Sequence, residues 1–439
     1  MVARWIGDFR AWLRRVASRF PAELAVGALV TLLLSGMEFF YKHTPDGEDL
    51  EVRAFAYLQG KLPRFSQDRP PIVVVNISPL GGGTLEDPTP RAALTRVLEA
   101  LAVHQPKAIA VDIDFAKRRN GDWASDDDPQ FFADCLALSR RTAVPIFLPI
   151  ERWPDGTTAG LLGLPGYDDL AVRGVSIDEG TERYATRIPL WYFPRGGTHA
   201  MPNLPTALAK AWLRERTVPE APFGVRQLVR PLSIARPDDR PAGQALPSRW
   251  IGNALLNYSK IDTFKQQRLN IVPPHFAFAE EDVADRIVIL GALGASPDVF
   301  AVPAREGTWP GALFQASAAY TLAVEPAREF KPAVAWSLDL AFSLLAIWSL
   351  RGIRTRLARR TASADGQHHG WWGVAELVVP QVVPVGIVVL GVLLVGYGRV
   401  LWLDFTLLAA CVALHPFVAA ILERALPAWH SSEAVQPET

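Results

Sequence analysis

Hydrophobic and polar positions alternate along this chain in three different ways, and each predicts a different kind of element. Long unbroken apolar runs occupy residues 22–40, 332–350, 374–398 and 400–422. A helix needs about 20 such residues to cross a bilayer, so each run predicts a transmembrane helix. Between the first and second runs lie short β-branched stretches separated by segments of helical periodicity. The run at 72–77 (IVVVNI) predicts a strand buried on both faces of a parallel sheet. Residues 91–104 place Leu94, Val97, Leu98 and Leu101 at helical spacing, with Thr89 as a cap and Pro90 in the first turn. Residues 107–115 (KAIAVDIDF) predict a second strand and complete a βαβ unit.

The pattern continues with a helix at 129–140 and a third parallel strand at 144–150. Residues 172–178 and 183–193 read as an antiparallel hairpin about Asp178-Glu179-Gly180. A helix at 203–216 follows, then a Pro- and Arg-rich stretch at 217–250, strands at 251–257 and 286–291, and a helix at 310–323. A short helix around 48–59 precedes them all. The fold class is α/β: an extracytoplasmic, mixed, largely parallel sheet flanked by helices, plus four transmembrane helices.

Charge orients the crossings. Residues 1–20 hold five arginines against Asp8, and 351–373 hold five against Asp365. Basic flanks stay in the cytoplasm, which places residues 41–331 outside. The order is a basic N-terminus (1–21), a first helix (22–40), the external domain (41–331), a second helix (332–350), a basic loop (351–373), two further helices (374–398 and 400–422) and a tail (423–439). Residues 22–40 read as an uncleaved anchor rather than a signal peptide, because the basic leader is long and the run ends in MEFFY. The expected location is a bacterial inner membrane, multi-pass, with both termini cytoplasmic. The formal net charge of zero excludes a basic nucleic-acid binder as the default. The two cysteines, Cys135 in the external domain and Cys411 in the last span, are not expected to meet.

Candidate chemistry is sparse. Asp112 and Asp114 close the second strand on one face, at the carboxyl end where α/β sheets place ligand sites. Such a pair can bind a divalent cation or share a proton. The plainer reading is that one caps the next loop and the other meets solvent. Asp126, Asp127 and Asp128 lack the alternating spacing of a calcium loop and read as a helix start. Gly81-Gly82-Gly83 does not open directly into a helix as a dinucleotide fingerprint does, and reads as a flexible loop. Ser78 is no nucleophile elbow, and no HExxH, CxxC or GxSxG arrangement occurs. No cofactor, metal site or catalytic residue is expected. Trp191, Tyr192 and Phe193 read as core, with an aromatic wall for a small ligand as the alternative.

Several separated segments together resemble the CHASE2 domain, an extracytoplasmic sensor module of bacterial signalling receptors. Ile72–Val75 is similar to its opening strand and Pro90-Arg91 to its first helix start. Ala110–Phe115 is similar to its Gly-x-Asp-Ile-x-Phe strand, with Asp112 and Phe115 matching. Ala110 replaces the glycine, and Asp114 stands at an apolar position. Arg187–Leu190, Leu204–Ala209, Asn257-Tyr258 and Ile287–Ala292 resemble later segments. Asp298, Phe300, Pro303, Pro310 and Gly311 resemble the closing pattern, while Phe314-Gln315-Ala316 departs from its Ile-His-Ala.

The resemblance implies one crossing before the domain and three after it, and a non-enzymatic membrane sensor. Asp112, Asp114, Arg187, Asn257, Tyr258 and Asp298 are its candidate structural or ligand-site residues. Asp339, Arg399 and Asp404 are candidates for coupling within the membrane, since an acid facing lipid is costly and should face other helices. Family members usually carry a cytoplasmic output domain after the last crossing. Here seventeen residues follow it, too few for a catalytic domain. The expected partners are therefore a small-molecule or envelope ligand, a separate cytoplasmic signalling protein and the lipid bilayer, with a homodimer as one such arrangement and no nucleic acid. The alternative is a structural or scaffold protein of the envelope.

Overall fold

The computed structural model describes residues 71–83, 87–113, 115, 122–150, 170–173, 187–193, 199–214, 218, 226–239, 249–256, 260–273, 275–294, 299–302, 307–331, 333–335, 337–338 and 400–401. The chain divides into two compact units, one of Val52–Glu329 and one of Met1–Glu51 with Phe330–Thr439. The elements below belong to the first. The four apolar runs, the short helix near 48–59 and Cys411 lie outside the described residues, except for a few positions at the start of the second run and residues 400–401 at the start of the fourth. Among the described residues, no helix is long and apolar enough to cross a membrane.

Six strands build the central sheet: β1 (Ile72–Asn76), β2 (Ala108–Asp112), β3 (Ile146–Ile150), β4 (Ala171–Arg173), β8 (Leu269–Asn270) and β9 (Ile287–Gly291). Their order is β4-β3-β2-β9-β1-β8, and every adjacent pair is parallel. Parallel strands need crossovers, and the helices supply them on both faces. Successive side chains point to opposite faces. Val73, Val75, Ile109, Val111, Val288 and Leu290 therefore share a core with α1 (Arg91–Ala102) and α2 (Asp128–Thr142), which bury Leu94, Val97, Leu98, Leu101, Phe131, Phe132 and Leu138. Ile72, Val74, Ala108, Ala110, Ile287 and Ile289 face the opposite core, with α3 (Leu204–Leu213), α4 (Ile261–Gln266) and α6 (Gly311–Ala323). A short α5 (Glu280–Val283) precedes β9.

A second, antiparallel sheet joins β5 (Arg187–Phe193), β6 (Met201–Pro202) and β7 (Arg249–Leu255) in the order β6-β5-β7. Here the structure departs from the expected hairpin of 172–178 with 183–193. Residues 171–173 pair parallel with β3 on the edge of the main sheet, whereas β5 pairs with β6 and β7. The turn residues signalled a reversal, and long-range pairing decided the partner. Trp191, Tyr192 and Phe193 are buried, as core residues should be. Asn203 caps α3: its Oδ1 accepts from the Thr206 amide at 2.8 Å, while its side-chain amide donates to Pro189 O. A hairpin of β10 (Val299–Ala301) and β11 (Thr308–Pro310) leads into α6. The final short strand of this unit is β12 (Arg328–Glu329).

All thirteen residues of α6 are buried. A helix apolar on every side belongs in the interior of a protein this size. Its two hydroxyl residues satisfy themselves by donating backwards, Ser317 to Leu313 O at 3.0 Å and Thr321 to Ser317 O at 2.7 Å. Tyr320 meets Phe264 of α4 edge-on, with ring centroids 5.9 Å apart. Phe314 packs on Phe300 of the hairpin at 5.2 Å.

Candidate functional site at the carboxyl edge of the sheet

The chain leaves β1 towards β2, β3 and β4 on one side, while β8 lies on the other, and β9 later fills the gap between β1 and β2. Ligand crevices of open α/β sheets form outside the carboxyl ends of strands at such a reversal. Three residues end these central strands in one row: Asn76 is opposite Gly291, and Gly291 is opposite Asp112. By alternation all three face the α6 side of the sheet.

Gly291 has a steric reason to be glycine. A Cβ there would lie 2.3 Å from Ala312 Cβ, with Asp112 Cβ and Oδ2 each at 3.5 Å. The first turn of α6 thus rests directly on β9. That turn begins after Pro310 and has no side-chain cap. The leading amides of a helix have no partner within it and carry partial positive charge, and the Asp112 carboxylate lies close to Ala312 of this turn, a favourable placement for an acid. The capping reading of Asp112 and the site reading therefore meet at one location.

The rim is held by a clasp between the loops after β1 and β9. Asn76 Oδ1 accepts from the Ser78 and Leu293 amides, both at 3.1 Å, and its Nδ2 donates to Asn270 Oδ1 at 3.2 Å. Ser78 Oγ accepts from the amides of Leu293 at 3.0 Å and Gly294 at 2.9 Å. Gly81-Gly82-Gly83 lies in a loop without regular structure. All three adopt positive φ, and a Cβ on Gly82 would sit 2.7 Å from the Pro88 and Thr89 backbone. Gly81 N donates to Ser78 O and Gly83 N to Asp87 O.

On the opposite face, a buried ion pair ties the starts of α1 and α2 together. Arg91 Nε donates to Asp128 Oδ1 at 2.6 Å, with side chains 2% and 0% exposed. Arg91 Nη1 donates to Thr89 O, and Asp128 Oδ2 accepts from the Ser125 amide at 3.0 Å. The guanidinium lies 5.0 Å from the Phe115 ring centre and 5.9 Å from that of Phe131. One sequence expectation is corrected here: α1 starts from Pro90 without a side-chain cap, so Thr89 is not its cap. Asp127 and Asp128 do stand at the start of α2, as the sequence predicts, and Asp128 is in addition the counter-ion of Arg91. The sequence signalled Arg91 only as a helix start. Its partner, 37 residues away, was recognisable only as one of three acids.

Of the candidate residues, Asp112 and Arg187 are described. Asp112 ends β2 at the carboxyl edge of the main sheet, whereas Arg187 starts β5 of the second sheet opposite Leu255. Asp114, Asn257, Tyr258, Asp298, Asp339, Arg399 and Asp404 lie outside the described residues. Among the described residues, no cluster of His, Cys, Asp and Glu is arranged to hold a metal ion. Cys135 is buried and free, and burial pushes its thiol pKa well above the ordinary value, with Asp134 adding to the effect. On the surface, His199, Arg236 and Asp239 form a hydrogen-bonded cluster. The His199 hydrogen bond is the main reason the Asp239 carboxyl sits below its ordinary range.

No curated protein and no solved structure matches the chain. The model of the CHASE2 domain matches residues 26–353, well over half of the sequence and all of the sheet described above. The chain belongs to the CHASE2 domain family, a family of extracellular sensory domains.

Proposed function

We propose that the protein is a non-enzymatic membrane sensor, in which a ligand bound outside the cell changes how α6 is seated and so what a cytoplasmic signalling protein receives. The observation that carries this reading is the course of α6. It begins at the carboxyl edge of the sheet, with Ala312 against Gly291 and near Asp112, and runs buried to Ala323. Nine residues later the chain enters the apolar run 332–350, which the hydropathy pattern predicts as a crossing.

A helix packed on every side moves as a unit, because close-packed interiors have alternative arrangements rather than continuous compliance. A ligand shifts such an equilibrium only by binding the two arrangements with different affinity. The crevice meets that requirement, since anything bound beside Asp112 contacts the same turn of α6 whose position would differ. Asp339, Arg399 and Asp404 are the polar groups through which the helices after α6 would be keyed to one another.

The topology is tested with a reporter enzyme active only outside the cytoplasm. Inserted near Gly156 it should be active, and fused after Thr439 it should be silent. The reverse pattern overturns both the topology and the sensor reading.

A further inference from the structure

We propose that the carboxyl-edge crevice takes a small ligand carrying a protonated amine, and that the side-chain carbonyl of Gln315 recognises it. The inference rests on the sensor reading only in placing the ligand outside the cell.

Gln315 lies in α6 and is 7% exposed, and its Oε1 is buried without a hydrogen-bond partner. Buried polar atoms are paired in the great majority of native structures, so an unpaired carbonyl asks what donor it is kept for. Its position follows from the helix. Ala312 rests on Gly291, which makes the side of Ala312 the sheet-facing side. Tyr320 contacts Phe264 of α4, and α4 packs over β1, so that flank of α6 looks towards β1. At about 100° per residue, Gln315 falls on the opposite flank, towards β2 and α3. That is the flank on which Asp112 ends β2.

Helical side chains lean back over the preceding turn, which carries the Gln315 amide towards the start of α6. There the residue one turn earlier is Gly311, with no side chain to block it. The carbonyl of Gln315 and the carboxylate of Asp112 thus flank the same helix turn. A carbonyl needs a donor, and a nearby carboxylate favours a charged donor over a neutral one. The positive end of α6 disfavours a free cation, which makes the Asp112 charge necessary rather than incidental.

The test follows melting of the full-length protein in detergent with ethylammonium chloride, and with potassium chloride and ethylene glycol as controls. Ethylammonium should raise the melting temperature of the wild type in a saturable way, and the controls should not. Gln315→Leu and Gln315→Met should melt above the wild type without amine, because the unpaired carbonyl is gone, and both should lose the response. Asp112→Asn should weaken it. No amine response in the wild type, an equal response to ethylene glycol, or a retained response in either Gln315 variant overturns the proposal. So does melting of both Gln315 variants below the wild type, since the carbonyl would then have a partner in the folded protein. Amine binding that leaves crosslinking between positions near 339 and 403 unchanged would keep this site and sink the sensor reading. Absence of binding sinks this site alone.

Discussion

Replacing Asp128 by Ala isolates the energetic centre of the clamp between α1 and α2. The change leaves the Arg91 guanidinium almost fully buried with its carboxylate gone, and removes the acceptor of the Ser125 amide. Breaking a buried ion pair from one side costs about 3–5 kcal/mol, mostly the penalty for the charge left behind. In a domain this large each kcal/mol lowers the melting temperature by about 2 °C, so a fall of about 6–10 °C is expected. Asp128→Asn keeps an oxygen for both donors and should lose less. Arg91→Met also removes the stacking on Phe115 and Phe131, worth about 0.5–2 kcal/mol. The double variant Arg91→Met with Asp128→Ala should be clearly more stable than the sum of its parts predicts, because no charge is stranded. Thermal melts followed by near-UV circular dichroism read the four variants against the wild type. A wild-type-like Asp128→Ala, or strict additivity in the double variant, would refute the claim that the pair is a mutually dependent buried clamp.

Two further outcomes follow from the packing. Gly291→Ala should destabilise by about 1–3 kcal/mol, the usual cost of overfilling a packed contact, and Ala312→Gly in the same chain should recover most of it; thermal melts of the three proteins check this. Cys135 should resist iodoacetamide in the native protein and react once unfolded, since burial keeps it a thiol rather than a thiolate; mass spectrometry of its peptide reads the difference.

The central sheet was legible in the sequence because its strands are buried on both faces and read as continuous β-branched runs. Ile72–Val75 and Ile287–Leu290 announce themselves in this way, and the helices beside them show their faces through Leu94, Val97, Leu98 and Leu101. What pairs with what was less legible. Residues 171–173 join a parallel edge and 187–193 join another sheet because their partners are distant in the chain, and local turn signals carry no record of them. The site divides in the same way. Asp112 at a strand end could be found by position. Gly291, in contrast, looks like an ordinary strand end until Ala312 is seen 2.3 Å from its missing Cβ. Gln315 was visible only as a departure from the family's Ile-His-Ala, and its unpaired carbonyl is a property of the folded surroundings.

The central claim is that the seating of α6 on Gly291 is passed on to the helices that follow it. The most direct measurement is disulfide crosslinking between cysteines introduced near positions 339 and 403, in a chain whose Cys135 and Cys411 are replaced by Ser. Crosslinking is compared in the wild type, in Gly291→Ala and in Gly291→Ala with Ala312→Gly. The account predicts that Gly291→Ala changes the yield while the protein is still inserted at normal abundance, and that Ala312→Gly restores it. An identical yield in all three proteins would contradict it.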